Sequence, residues 1–118
     1  MDDEDVQVRQ AFERAAELFG LLATPIRLRI ISELCEGEKN VSQLLERIPV
    51  MQSNMSQHLN MLYRAGVVTR RRHGAQVFYR MAEGVAPLLC GAVCTQVAAG
   101  REGVLTGRHP VPAPEPGT

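Results

Sequence analysis

Apolar residues recur every three to four positions along most of this chain, and the stretches where that rhythm breaks mark the ends of its elements. From Val8 to Leu22 the residues Phe12, Ala15, Ala16, Phe19 and Leu22 fall on one face of a helix. Thr24-Pro25 then supplies a cap followed by proline at a first helical position. The helix that begins there carries Leu28, Ile31, Leu34 and Cys35 on one side, and Gly37 is its stop. After Lys39-Asn40, a short helix over Val41–Arg47 has the stripe Val41, Leu44 and Leu45. Ile48-Pro49-Val50-Met51 reads as a turn, because a proline disfavours helix at the residue before it. A further helix over Gln52–Ala65 buries Met55, Leu59 and Leu62, and Gly66 ends it.

At Val67 the period changes from helix to strand. Val67–Arg72 is a strand with a basic end, His73–Gln76 a turn, and Val77–Met81 a returning strand. A last helix over Glu83–Ala99 is apolar nearly all round (Val85, Leu88, Leu89, Ala92, Val93, Val97). A helix of that kind needs burial on more than one side. One side packs on its own domain, and a second copy of the chain is expected on the other. From Gly100 the pattern collapses, with Pro110, Pro112, Pro114 and Pro116 at every second position. The expected organisation is an acidic flexible leader at 1–7, a single domain at 8–99 and a disordered Pro-rich tail at 100–118. The fold class is mainly α with a small β-hairpin, in the order α-α-α-α-β-β-α.

Composition sharpens this picture in two places. With 45% apolar but only 4% aromatic residues and no Trp, the core is built from Leu, Ile, Val, Ala and Met. Formal net charge is zero, which by itself argues against a nucleic-acid binder, but the charge is unevenly spread. Asp2, Asp3, Glu4 and Asp5 open the chain, whereas nine Lys/Arg against four Glu leave Thr24–Met81 at +5. The acidic start has neither a basic segment nor an apolar one of signal-peptide type, and the longest uncharged run, Gly84–Gly100, is short for a membrane span. A cytoplasmic protein that does not engage membranes is expected. Three cysteines in that setting point to metal or redox chemistry rather than to structural bridges.

Two helices joined by a tight turn and followed by a basic hairpin make a winged helix-turn-helix. The second helix of such a motif enters the major groove of double-stranded DNA with its N-terminal residues leading. Here those residues are Gln52, Ser53, Asn54, Ser56, Gln57 and His58. Gln and Asn match adenine edges, and Ser bonds phosphates or bases. Since the first five carry no charge, affinity has to come from Arg70, Arg71 and Arg72 on the wing, which reach phosphate or the minor groove. No catalytic triad, phosphate-binding glycine loop or paired acids in an apolar setting are present, so an enzyme is not expected. The rival class is a winged-helix protein-interaction module that does not bind DNA. Salt separates the two, since only DNA binding weakens steeply as salt rises.

Several segments resemble one family in order. Ala23–Ile30 is similar to its A-x-P-x-R-L-x-I opening, and Val41-Ser42-Gln43-Leu44 to its first reading helix. Ser53–Leu59 is similar to its S-x-x-S-x-H-L recognition motif, and Ala65–Val68 with Val77–Arg80 completes the match. On these residues the chain resembles the ArsR/SmtB family of metal- and arsenic-responsive repressors over about residues 10 to 98. The resemblance implies a homodimer held by the first and last helices, and a repressor that leaves its operator when an effector binds. The arsenite-type cysteine box is absent, because its position reads Asn40-Val41-Ser42; the last helix also lacks the His and Asp of zinc and nickel sensors.

What remains is Cys35 at the end of the second helix, with Cys90 and Cys94 four apart on the last. The persulfide- and redox-sensing branch of the family sets one cysteine on each of these helices face to face. This chain resembles that branch with Cys35 about a turn later and Cys94 about a turn earlier, shifts that antiparallel helices would compensate. Two mechanisms stand open. Cys35 joins Cys94 or Cys90 in a disulfide or polysulfide bridge, or all three thiolates bind a soft metal or metalloid ion such as As(III). No other cofactor is expected. Free cysteines are also often simply small buried hydrophobes.

Overall fold

The structure, a computed structural model, describes residues 2–106, with side chains through Gly100. Eight elements follow one another: α1 (Asp3–Leu22), α2 (Pro25–Cys35), β1 (Lys39–Asn40), α3 (Val41–Arg47), α4 (Gln52–Arg64), β2 (Val68–His73), β3 (Gln76–Met81) and α5 (Ala86–Thr106). The mainly helical class and the hairpin agree with the sequence reading. One strand, β1, enlarges the hairpin to a three-stranded antiparallel sheet in the order β1-β3-β2.

Local chemistry accounts for the boundaries. Thr24 Oγ1 accepts from the Arg27 amide at 3.3 Å, and Pro25 occupies the first turn of α2, where its missing N–H costs nothing. Asn40 and Gln43 form a reciprocal capping box at the start of α3, both bonds 2.8 Å long. Gly66, with φ +78°, takes the left-handed conformation that turns the chain from α4 into β2. The hairpin closes on Gly74-Ala75 between the paired His73 and Gln76, and only Gly74 has positive φ (+65°), the type II′ pattern that suits twisted strands.

Two expected boundaries move. The leader is helical from Asp3 rather than flexible to residue 7. Asp2 caps it, and Asp3, Glu4 and Asp5 sit in the first turn, where negative charge is favourable. At the other end α5 runs through Gly100 to Thr106, since one interior glycine costs a helix only about 1 kcal/mol. The remainder of the expected tail, 107–118, lies outside the described residues.

The core gathers Leu22, Ile30, Ile31, Leu34, Leu44, Ile48, Met55, Leu59, Leu62, Val67, Val68, Tyr79 and Met81. The three α4 residues are those expected. In α2 the buried face is Ile30, Ile31 and Leu34, with Cys35 packed at its edge and Leu28 turned outward. Helix α5 lies against α2, and Ala86, Leu89, Cys90 and Val93, with Val85 just before the helix, pack on the core. Helix α1 contributes only Leu22 to the core, and Phe12 and Phe19 are exposed at 73% and 66%.

Candidate DNA-reading surface and thiol pair

Burying Met55, Leu59 and Leu62 fixes the rotation of α4 and so decides which of its residues face outward. Gln52, Ser53, Asn54, Ser56 and Gln57 are all exposed at its N-terminal end. Met51, the N-cap, makes no side-chain cap bond and is itself exposed, so the first amides of α4 have no internal acceptor. Open amides and short polar side chains at a helix N-terminus suit a phosphate and a base edge respectively.

His58 behaves differently from its neighbours. It is half-buried, and its Nδ1 accepts a hydrogen bond from Arg27 Nε at 3.1 Å. Burial, and next the adjacent Arg27 charge, hold its pKa below the ordinary histidine value. Arg27 also donates to the Leu21 carbonyl at 2.8 Å and to Met61 Sδ at 2.9 Å. This one guanidinium therefore ties the end of α1, its own α2 and the middle of α4 together. His58, expected among the reading residues, is held in that tie through its Nδ1. Arg27 was visible in the sequence only as the Arg of the A-x-P-x-R-L motif.

The three wing arginines are exposed but not equivalent. Arg71 is bidentate to Glu38, with Nε–Oε2 2.8 Å and Nη2–Oε1 2.7 Å, and lies 5.1 Å from the Phe78 ring centre. That hydrogen bond holds the Glu38 carboxyl below the usual carboxylate range and raises Arg71. Arg70 stacks over Tyr63 of α4 at 3.9 Å. Arg72 has no ion-pair partner among the described residues. Strand alternation separates them, sending Arg71 to one face and Arg70 and Arg72 to the other.

Cys35 and Cys90 are joined by a disulfide across α2 and α5, with Cα atoms 5.6 Å apart, inside the usual range for such bonds. Cys94 is unbonded and exposed. Of the two partners open to Cys35, the fold brings Cys90. Cys94 does not join the pair, and among the described residues no three His, Cys, Asp or Glu side chains converge as metal ligands do. No described helix is long and apolar enough to cross a membrane.

Residues 24–70, from the α2 cap to Arg70 on the wing, match the family described as bacterial regulatory protein, arsR family. The biofilm growth-associated repressor of Xylella fastidiosa is 37% identical over 100 residues, 81% of this chain and 86% of that protein. The HTH-type transcriptional repressor SmtB of Mycobacterium tuberculosis is 41% identical over 75 residues, 64% of this chain; the match spans 56% of SmtB's own length. Among solved structures, the transcriptional repressor BigR from Xylella fastidiosa superposes with a TM-score of 0.64 at 37% identity, covering 80% of this chain and 95% of BigR. Reduced HlyU from Vibrio cholerae gives 0.65 at 27%, covering 81% and 95%. A homodimeric winged helix-turn-helix DNA-binding domain from Mycobacterium bovis, described as a possible ArsR-family transcriptional regulator, gives 0.67 at 28%, covering 88% and 93%. These named relatives are transcriptional repressors or regulators, not enzymes.

Proposed function

The chain belongs to the arsR family of bacterial regulatory proteins, and from that premise we propose that it is a homodimeric repressor whose grip on operator DNA is controlled by the Cys35–Cys90 thiol pair. The DNA-facing groups are Gln52, Ser53, Asn54, Ser56 and Gln57 on α4, together with Arg70 and Arg72 on the wing, and Arg71 wherever it is released from Glu38. The first set reads bases, and the second supplies the phosphate contacts that carry most of the affinity.

The dimer is supported by apolar surface that the single chain leaves open. Phe12 and Phe19 on α1 and Leu88 on α5 (74% exposed) are large side chains of the kind that mark an interface. The Mycobacterium bovis domain is a homodimer in solution.

The observation that carries the regulatory part is the bond itself. It links α2, which packs within the reading head, to α5, which the proposed dimer uses as a seam. Closing or opening it alters how two heads are held relative to one another, and hence whether both fit successive major grooves. Reactive sulfur species or oxidants that close a dithiol are the matching class of signal. A metal or metalloid reading has no equivalent support, because the third thiol stands apart.

The test is fluorescence anisotropy with DNA from the protein's own upstream region, on fully reduced protein and then after polysulfide treatment. Tight binding when reduced, lost on treatment and restored by reductant, is expected. Cys35→Ser and Cys90→Ser should each bind DNA but fail to release it, while Cys94→Ser should still release. Unchanged release in the first two variants would sink the thiol mechanism, and weak binding at every salt concentration would sink the DNA reading.

A further inference from the structure

One side of the Cys35–Cys90 pair opens onto a cavity of about 640 Å³ between α2, the sheet and the start of α5. Its wall includes Arg70, Arg71 and Arg80 and a single carboxylate, Glu38. Glu38 is committed to Arg71. Arg70 turns its guanidinium to Tyr63 on the other face of the sheet, but Arg80 shares the Arg71 face and has no carboxylate partner among the described residues; its only side-chain hydrogen bond there is to Thr69 Oγ1 at 3.3 Å. A sulfur pair thus shares one cavity with an excess of guanidinium charge.

Resting on the thiol reading above, we propose that this cavity is a docking site for a small anionic disulfide, held through a carboxylate by Arg80, which oxidises the reduced Cys35–Cys90 pair. Size and charge both favour this class. The volume suits a peptide-sized molecule rather than a peroxide. Guanidinium forks match carboxylates in geometry, and nearby positive charge favours the thiolate form of an attacking cysteine. The exchange then balances without a further reagent. One cysteine thiolate attacks a sulfur of RSSR, forms Cys–S–S–R and expels RS⁻. The second thiolate attacks the protein sulfur of that mixed disulfide, forms the Cys35–Cys90 bond and expels the second RS⁻. Two electrons pass from the protein dithiol to the small disulfide, and the two thiol protons end on the released thiols.

The experiment follows the rate of Cys35–Cys90 bond formation in reduced full-length protein. It compares glutathione disulfide, which is anionic, with hydroxyethyl disulfide, which is neutral. Comparing each variant with wild type for the same reagent cancels the reagents' intrinsic reactivities. Arg80→Ala should slow glutathione disulfide by about tenfold, the low end of electrostatic steering effects, and leave the neutral reagent within about twofold of wild type. Arg80→Lys, which keeps the charge, should recover most of the rate and guards against a folding defect. If Arg80→Ala slows both reagents equally or neither, the docking site is refuted while the thiol switch survives. If neither reagent closes the Cys35–Cys90 bond even in wild type, the docking site is refuted, and closure by polysulfide in the same protein then shows whether the switch stands without it.

Discussion

Breaking the Cys35–Cys90 bond should lower the melting temperature by an amount set mainly by the loop it closes. The two cysteines are 55 residues apart. In the chain-entropy picture a loop of that length is worth about 4 kcal/mol at 25 °C. Unfolding entropy is about 2.1 cal/mol/K per residue, or about 0.2 kcal/mol/K for roughly 100 folded residues, so Tm should fall by about 20 °C. The residues around the pair belong to the α2–α5 contact and stay packed when the sulfurs separate, so the reduced protein is expected to remain folded. Scanning calorimetry of oxidised and reduced protein at equal protomer concentration measures the difference directly. Cys35→Ser and Cys90→Ser should melt like the reduced protein under either condition, whereas Cys94→Ser should keep the full shift. A wild-type shift below about 5 °C would contradict a bond closing a loop of this length. A shift that survives in Cys90→Ser but vanishes in Cys94→Ser would assign the bridge to the other pair.

Three further outcomes follow from the same contacts. Folded His58 has a pKa below its unfolded value of 6.5, so the unfolded chain takes up the proton first. Stability is therefore full above about pH 6.5, falls as pH drops through the window below it, and levels off once the folded pKa is passed; a His58→Gln variant should show a shallower fall in Tm between pH 7.5 and 5.5. Glu38→Gln releases Arg71 for phosphate, so plots of log affinity against log salt should steepen by about one unit, and an unchanged slope would show that Arg71 does not reach the backbone. Phe12→Ser removes a side chain that two protomers would each bury, and sedimentation should show dimer dissociation strengthened by about 100-fold or more.

Much of this molecule could be read from the sequence wherever one local rule decided the outcome. The Met55, Leu59, Leu62 spacing oriented α4, and the change of period at Val67 announced the hairpin. What could not be read depended on neighbours remote in sequence. Strand β1 is two residues long and exists only because Lys39 and Asn40 pair with Tyr79 and Phe78, too short a segment to show a period. Ile30 and Leu28 are both apolar and two apart on α2, so pattern alone does not say which is buried; packing selects Ile30. Cys90 and Cys94 sit on successive turns of α5, roughly 6 Å apart along the axis. Only the axial position of α5 on α2 chooses between them, and no local spacing encodes it. The Arg27–His58 and Arg71–Glu38 pairs likewise join residues more than 30 positions apart, which is why His58 and Arg71 look like free surface groups in one dimension.

The Arg27 fork has a mechanical consequence. By bonding Leu21, His58 and Met61 at once, it welds the end of α1, α2 and α4 into one block, with the exposed edge of α4 as its working face. A block clamped at three points does not bend readily when something happens at its rim. Whatever closes across Cys35 and Cys90 cannot easily reshape the edge that meets the groove; it can only turn the whole block against its seam with the other half of the dimer. Under the proposed function, the response to a signal is then a change of angle between two rigid jaws, felt most at their tips, where a small rotation becomes the largest displacement.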